Sequence, residues 1–221
     1  HGEQNLQDTI IGMANEFPGT NNIPLLYRDG QFGTRLDGGA DAASARYIFT
    51  KMDMLTEYIF REEDNPVLTQ VNDDGDLVQP EFYVPIIPMI LVNGSLGIGT
   101  GWSSSVPCYN PLDLTKAVRQ WMTGNREEPV IVDGECVNSP FGEFRPWYRG
   151  FKGDITFAGK GKWNTCGTIS NVKKNTVEVT ELPIGLWTNK FKDSCEDLLQ
   201  SKQIKGLKNY STPKDVKFVI T

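Results

Sequence analysis

In Thr176-Val177-Glu178-Val179-Thr180-Glu181-Leu182 apolar and polar side chains alternate with period two as far as Thr180, the pattern of a half-buried strand. Residues 167–172 and 216–220 read the same way, so the last third of the chain is expected to hold antiparallel strands, with a helix over residues 189–201. Towards the N-terminus the period changes. Leu6, Ile10, Met13, Ala14 and Phe17 recur at helical spacing until Pro18-Gly19 ends the run. Ile48, Met52, Leu55 and Ile59 mark one face of a second helix, with Ser44 near its start as a cap. A third helix runs from Pro111 through Leu114, Ala117, Val118, Trp121 and Met122 to Gly124. Asn72-Asp73-Asp74-Gly75 is a turn between two short strands. The apolar stretch of residues 84–92 reads as buried strand, and residues 125–150, with three prolines, three glycines and little periodicity, as a connection. Helices early and strands late give an α+β fold class with a boundary near residues 85–100.

The bulk composition narrows the function classes. A chain of 221 residues holds one large or two small domains, and 38% hydrophobic residues are enough to bury a core. No apolar run approaches the ~18 residues of a membrane span. The N-terminus shows neither a basic region nor a secretory core, and it enters helical periodicity almost at once, which reads as a start inside a longer polypeptide. Cys108, Cys136, Cys166 and Cys195 are widely spaced and only one histidine accompanies them, so they read as reduced structural thiols rather than a zinc site. The net charge of −6 argues, taken alone, against nucleic acid. The acids are concentrated over residues 61–81, where Arg61 is the single base, so that segment is expected to face solvent.

Two blocks carry chemistry. The first is Gly30-Gln31-Phe32-Gly33-Thr34-Arg35, then Gly38-Gly39, then Ala42-Ala43-Ser44-Ala45-Arg46-Tyr47-Ile48. Its glycines supply positive φ and let backbone approach a ligand closely. A helix starting at Ser44 would present its positive end to a phosphate, with Arg46 and Tyr47 on the first turn. A free tyrosine is only about a tenth of a percent phenolate at neutral pH, and a neighbouring guanidinium favours that form while clamping phosphate oxygens. Arg35, Arg46 and Lys51 are expected on one basic face. The second block, Pro85-Ile86-Ile87-Pro88-Met89 through Asn93-Gly94 to Gly97-Ile98-Gly99-Thr100-Gly101-Trp102, flanks Ile98 with glycine on both sides. An apolar side chain held out on slim backbone can wedge between base pairs, although a buried isoleucine in a tight turn has the same spacing. Asp74-Gly75-Asp76 has metal-ligand spacing but sits in the turn and reads as a solvated loop.

These blocks, with His1-Gly2-Glu3, Gly19-Thr20-Asn21-Asn22, Glu181-Leu182-Pro183 and Val216-Lys217-Phe218-Val219, resemble the eukaryotic-type (type IIA) DNA topoisomerase II family, including its forms in large DNA viruses. The resemblance runs in order along essentially the whole chain. It implies that Tyr47 attacks DNA to form a 5′-phosphotyrosyl link, that Arg46 stabilises the transition state, and that Ile98 inserts between base pairs. It further implies DNA contacts for His1, Asn5 and Trp187, with Arg35 and Lys51 adding basic contacts. Residues 1–90 would be the C-terminal part of a winged-helix (CAP-like) domain and residues 91–221 most of a mixed α/β tower domain. Mg2+ and ATP would bind outside this fragment, the metal on an acidic toprim domain of the partner subunit. The full-length enzyme would be a nuclear homodimer acting on double-stranded DNA, or would work at a cytoplasmic replication site if viral. The fragment alone would be inactive. Where the family commonly has lysine after Gly-Gly and proline before the arginine, this chain has Ala40 and Ala45. Two other readings stand beside this one: a catalytically inert DNA-binding or architectural module, which the intact Arg46-Tyr47 pair disfavours, and a bacterial gyrase-type subunit, which the wording of the second block disfavours.

Overall fold

The computed structural model describes residues 2–124, 128 and 144–221, together with the backbone of 130–132 and 135–138. Helix α1 (Gly2–Ala14) forms but ends three residues short of the Phe17 its periodicity reached, and Leu6 is exposed while only Ala14 at its C-terminal end is buried. Phe17 and Phe32 are buried beyond it.

The expected second helix is broken. Residues Ala45–Tyr47 make one 3-10 turn, Ser44 gives no side-chain cap, and helix α2 (Met54–Ile59) begins later, with Asp53 accepting from the Leu55 N–H as its cap. The chain between them runs extended. Phe49 exchanges backbone hydrogen bonds with Asp29 at 2.9 and 3.1 Å, and the Tyr27 N–H donates to the Lys51 carbonyl at 2.9 Å. Pairing with a segment some twenty residues earlier outweighs the helical spacing, because it satisfies backbone groups of both segments at once.

A 3-10 helix (Glu62–Val67) leads to the exposed hairpin β1 (Gln70–Asp73) and β2 (Asp76–Pro80), turned at the predicted Asn72–Gly75. The stretch read as buried strand is instead half-buried coil ending in the single-turn helix α3 (Met89–Val92). Two prolines deprive it of ladder donors, and only Val92 is buried. Hairpin β3 (Ser95–Ile98) and β4 (Ser103–Val106) follows, then helix α4 (Pro111–Met122), capped by Asn110 with proline at its start. The backbone pairs β5 (Val130–Val132) with β6 (Glu135–Asn138), then β7 (Asp154–Gly159) with β8 (Lys162–Cys166).

The last third is the sheet the alternation announced. Strands β9 (Thr168–Lys173), β10 (Thr176–Glu181), β11 (Leu207–Asn209) and β12 (Phe218–Ile220) form an antiparallel sheet in the order β11-β12-β10-β9. Helix α5 (Thr188–Gln200) packs on it, Phe191 edge-on to Phe218 at 5.1 Å. Val179, Leu182, Val216 and Phe218 are its core.

One buried side chain sews the parts together. The Asn22 amide donates to the carbonyls of Val92, Tyr109 and Trp147 at 3.0–3.1 Å and accepts from the Arg149 N–H at 2.8 Å. Asn93 matches it by exchanging two hydrogen bonds with the Ile23 backbone, each 2.9 Å.

Candidate nucleic-acid cleavage site

Tyr47 stands 65% exposed on the 3-10 turn, its N–H donating to the Ser44 carbonyl at 2.9 Å. The Arg46 guanidinium lies over the Tyr47 ring, 4.8 Å from its centroid. A guanidinium on the ring face is attracted by the ring quadrupole, and its fork of N–H donors suits phosphate oxygens. Three residues of 3-10 turn have no macrodipole to offer, so Arg46 and not a helix end supplies the positive field, contrary to the sequence expectation. Phe49 and Lys51 take alternate places in the extended run after the turn and are exposed like Tyr47, with the Lys51 ammonium 5.7 Å from the Tyr27 ring.

The glycine loop before Tyr47 does have the predicted positive φ, but its close approaches are to protein. Gly38 lies so near the Trp187 indole that a Cβ would come within 2.1 Å of it, and a Cβ on Gly30 would meet Ile48 at 2.7 Å. Asp41 closes the loop by accepting from the Thr34 N–H at 2.8 Å and its hydroxyl at 2.6 Å. A groove of about 550 Å³ separates the loop from α1, bordered by Gln4, Gln7 and Asp8 on the helix and by Ala40 and Ala45 on the loop. Both alanines that depart from the family pattern line this groove, which ends two residues short of Tyr47.

Arg35 does not share the basic face expected for it. It is 4% exposed and ion-paired to the equally buried Glu181, with a second bond at 3.3 Å to the Leu182 carbonyl. Glu181 occupies an inward position at the end of β10 and also accepts from the N–H groups of Leu182 and Lys152. A carboxylate so placed draws the guanidinium inside, because burying either charge alone is prohibitive. Trp187 is half-buried, edge-on to Phe17 at 5.7 Å as well as against Gly38. Asn5 is exposed on α1, and His1 lies outside the described residues.

Ile98 is 88% exposed at the end of β3, opposite Ser103, with Leu96 and Trp102 exposed beside it. Of the two readings of its spacing, the buried turn is excluded. Among the described residues no group of three or more His, Cys, Asp or Glu side chains could hold a metal ion, and no helix is long and apolar enough to cross a membrane. Asp74 and Asp76 lie on the exposed hairpin turn. Of the cysteines with described side chains, Cys108 and Cys195 are buried and Cys166 is exposed; all three are free.

The sequence profile of the DNA gyrase/topoisomerase IV A-subunit family matches residues 1–221. The DNA topoisomerase 2 of Penicillium chrysogenum is 45% identical over an alignment taking in all of this chain and 13% of that protein. That of Invertebrate iridescent virus 6 is also 45% identical, over all of this chain and 19% of the viral protein. Among solved structures, the Plasmodium falciparum topoisomerase II DNA-binding, cleavage and re-ligation domain superposes with a TM-score of 0.88 at 43% identity, covering 100% of this chain and 29% of that one. The chain thus spans less than a fifth of the length of those two curated relatives. Sequence and fold match one family along the whole chain, and the chain belongs to it: the type II DNA topoisomerases of the eukaryotic kind.

Proposed function

We propose that this chain carries the cleaving tyrosine of an ATP-dependent type II DNA topoisomerase, which passes one duplex through a transient double-strand break in another. The observation that carries the reading is Tyr47 itself: an exposed phenol under a guanidinium, on a loop held from both sides. The Tyr47 Oη attacks a backbone phosphorus, the bond from phosphorus to the 3′ oxygen breaks, and the enzyme is left joined to the 5′ phosphate. The freed 3′-hydroxyl later attacks the phosphotyrosine and restores both groups. One phosphoester replaces another in each direction, so resealing needs no nucleotide. Arg46 offers its donors where negative charge builds on the phosphate.

Ile98, at the tip of its hairpin, is suited to enter the base stack and bend the duplex. Asn5 and Lys51 contribute backbone contacts from exposed positions, Trp187 takes part through the portion of its ring left exposed, and His1 is assigned a DNA contact by the family resemblance. Residues 1–90 then form the C-terminal part of a winged-helix domain and residues 91–221 most of a tower domain. Mg2+ and ATP are assigned to segments outside these residues. The whole enzyme is read as a homodimer on double-stranded DNA, nuclear in a cell or at a cytoplasmic replication site for a virus, and the fragment alone as inactive. The test is Tyr47→Phe in the full-length enzyme. Relaxation of supercoiled DNA should vanish while DNA binding and ATP hydrolysis persist; relaxation that survives rules Tyr47 out.

A further inference from the structure

We propose that residues 35–38 are a positioning clamp that ties the loop bearing Tyr47 to helix α5 and the end of β10 by capping α5 from a distant part of the chain, a role that rests on the reading of Tyr47 as nucleophile. Helix α5 starts after Trp187, whose side chain caps nothing, so the first N–H groups of the helix need acceptors from elsewhere. The N–H of Thr188 donates to the Arg35 carbonyl at 3.4 Å and that of Asn189 to the Leu36 carbonyl at 2.9 Å. Asn189 Nδ2 donates to the Asp37 carboxylate at 2.8 Å, which sets a negative charge at the positive end of the helix. The Arg35 side chain holds Glu181 at the end of β10, and Gly38 lies under Trp187. Four consecutive residues therefore each grip the segment 181–189.

From that grip a run of hydrogen bonds leads to the tyrosine. Gly39 N–H donates to the Thr34 carbonyl at 3.0 Å, Asp41 accepts twice from Thr34, Ala43 N–H donates to Gln31 at 2.9 Å, and Tyr47 N–H to Ser44. Tyr47 has no burial of its own to locate it. Its position is inherited from the chain on either side, from the Phe49–Asp29 pairing after it and from the loop before it, which α5 and β10 hold. A nucleophile displaced by about 1 Å from its line of attack can lose about a hundredfold in rate. Asp37 and Asn189 are thus positioning residues for cleavage, though neither touches the phosphate.

The experiment uses the full-length enzyme. Asn189→Asp sets two carboxylates against each other, and adding Asp37→Asn restores the pair with donor and acceptor exchanged. Asn189→Asp should lower the single-turnover cleavage rate at saturating DNA by about ten- to a hundredfold, with noncovalent DNA affinity and the thermal midpoint unchanged. The double variant should return the rate to the parent value. Cleavage by Asn189→Asp at the parent rate, a loss that merely follows unfolding, or failure of Asp37→Asn to restore it would each overturn the clamp. Tyr47→Phe is assayed alongside. If it still forms adduct, the nucleophile reading falls and takes the clamp with it; if it forms none while Asn189→Asp is unimpaired, the clamp alone falls.

Discussion

Arg35 keeps its charge inside the protein because Glu181 meets it and because the remaining oxygen of that carboxylate is taken by the Lys152 N–H at 3.0 Å. Removing one member of such a pair strands the other. Glu181→Ala should therefore destabilise the chain by about 3–5 kcal/mol, read from denaturant unfolding, and a change under ~1 kcal/mol would contradict the assignment. The sequence invited a different reading of Arg35, since bases are scarce near Tyr47 and each one looked needed for DNA. Its partner lies 146 residues further on, a distance no local pattern spans. The roles of Asn22, Asp37 and Asn189 are hidden from the sequence for the same reason: their work is done through contacts across the fold. Tyr47, Arg46 and Ile98 could be proposed from the sequence because recognition of a motif does not require knowing what packs behind it.

Hairpin β3–β4 and the run from Ser44 to Ile59 show how elements separate into those that local pattern determines and those it does not. Helix α4 carries its own start signal in Asn110 and Pro111, and α4 and α5 lie within two residues of where periodicity put them, while α1 stops at Ala14, short of Pro18. The second helix failed because Met52 and Leu55, read as its buried face, are 59% and 49% exposed, while the backbone around them pairs with residues 26–29. The hairpin is the opposite case. Ile98 contributes nothing to the core, so Ile98→Ala should shift unfolding by no more than about 0.5 kcal/mol, the scale of a surface substitution. In the full-length enzyme the same change should reduce DNA bending, followed by energy transfer between end labels on a cleavage-site duplex. Undiminished bending would remove Ile98 from the wedge role.

For the molecule as a whole, the net charge of −6 ceases to argue against DNA once the surface is divided. The acids of residues 61–81 sit on an exposed 3-10 helix and hairpin, whereas Arg46 and Lys51 stand exposed beside Tyr47. Buried acids of the weaker kind govern the other end of the pH scale. Burial pushes the Cys108 thiol from its ordinary 9.0 up to about 11, and burial, with Cys108 as neighbour, pushes the Tyr148 phenol from 10.0 to about 12. Both protons are held more tightly folded than unfolded. The stability they contribute is complete below pH 9 and lost as pH rises through the folded values. The thermal midpoint should fall above about pH 9, and less steeply in Cys108→Ala; identical slopes would contradict the burial effect at Cys108.

In the proposed reaction Tyr47 becomes covalently joined to DNA. That step is tested most directly by trapping the full-length enzyme during cleavage, digesting DNA and protein, and sequencing the nucleotide-bearing peptide by mass spectrometry. The peptide should contain Ala45-Arg46-Tyr47-Ile48 with the 5′ phosphate of the cut strand on the Tyr47 oxygen. An adduct on any other residue would contradict it.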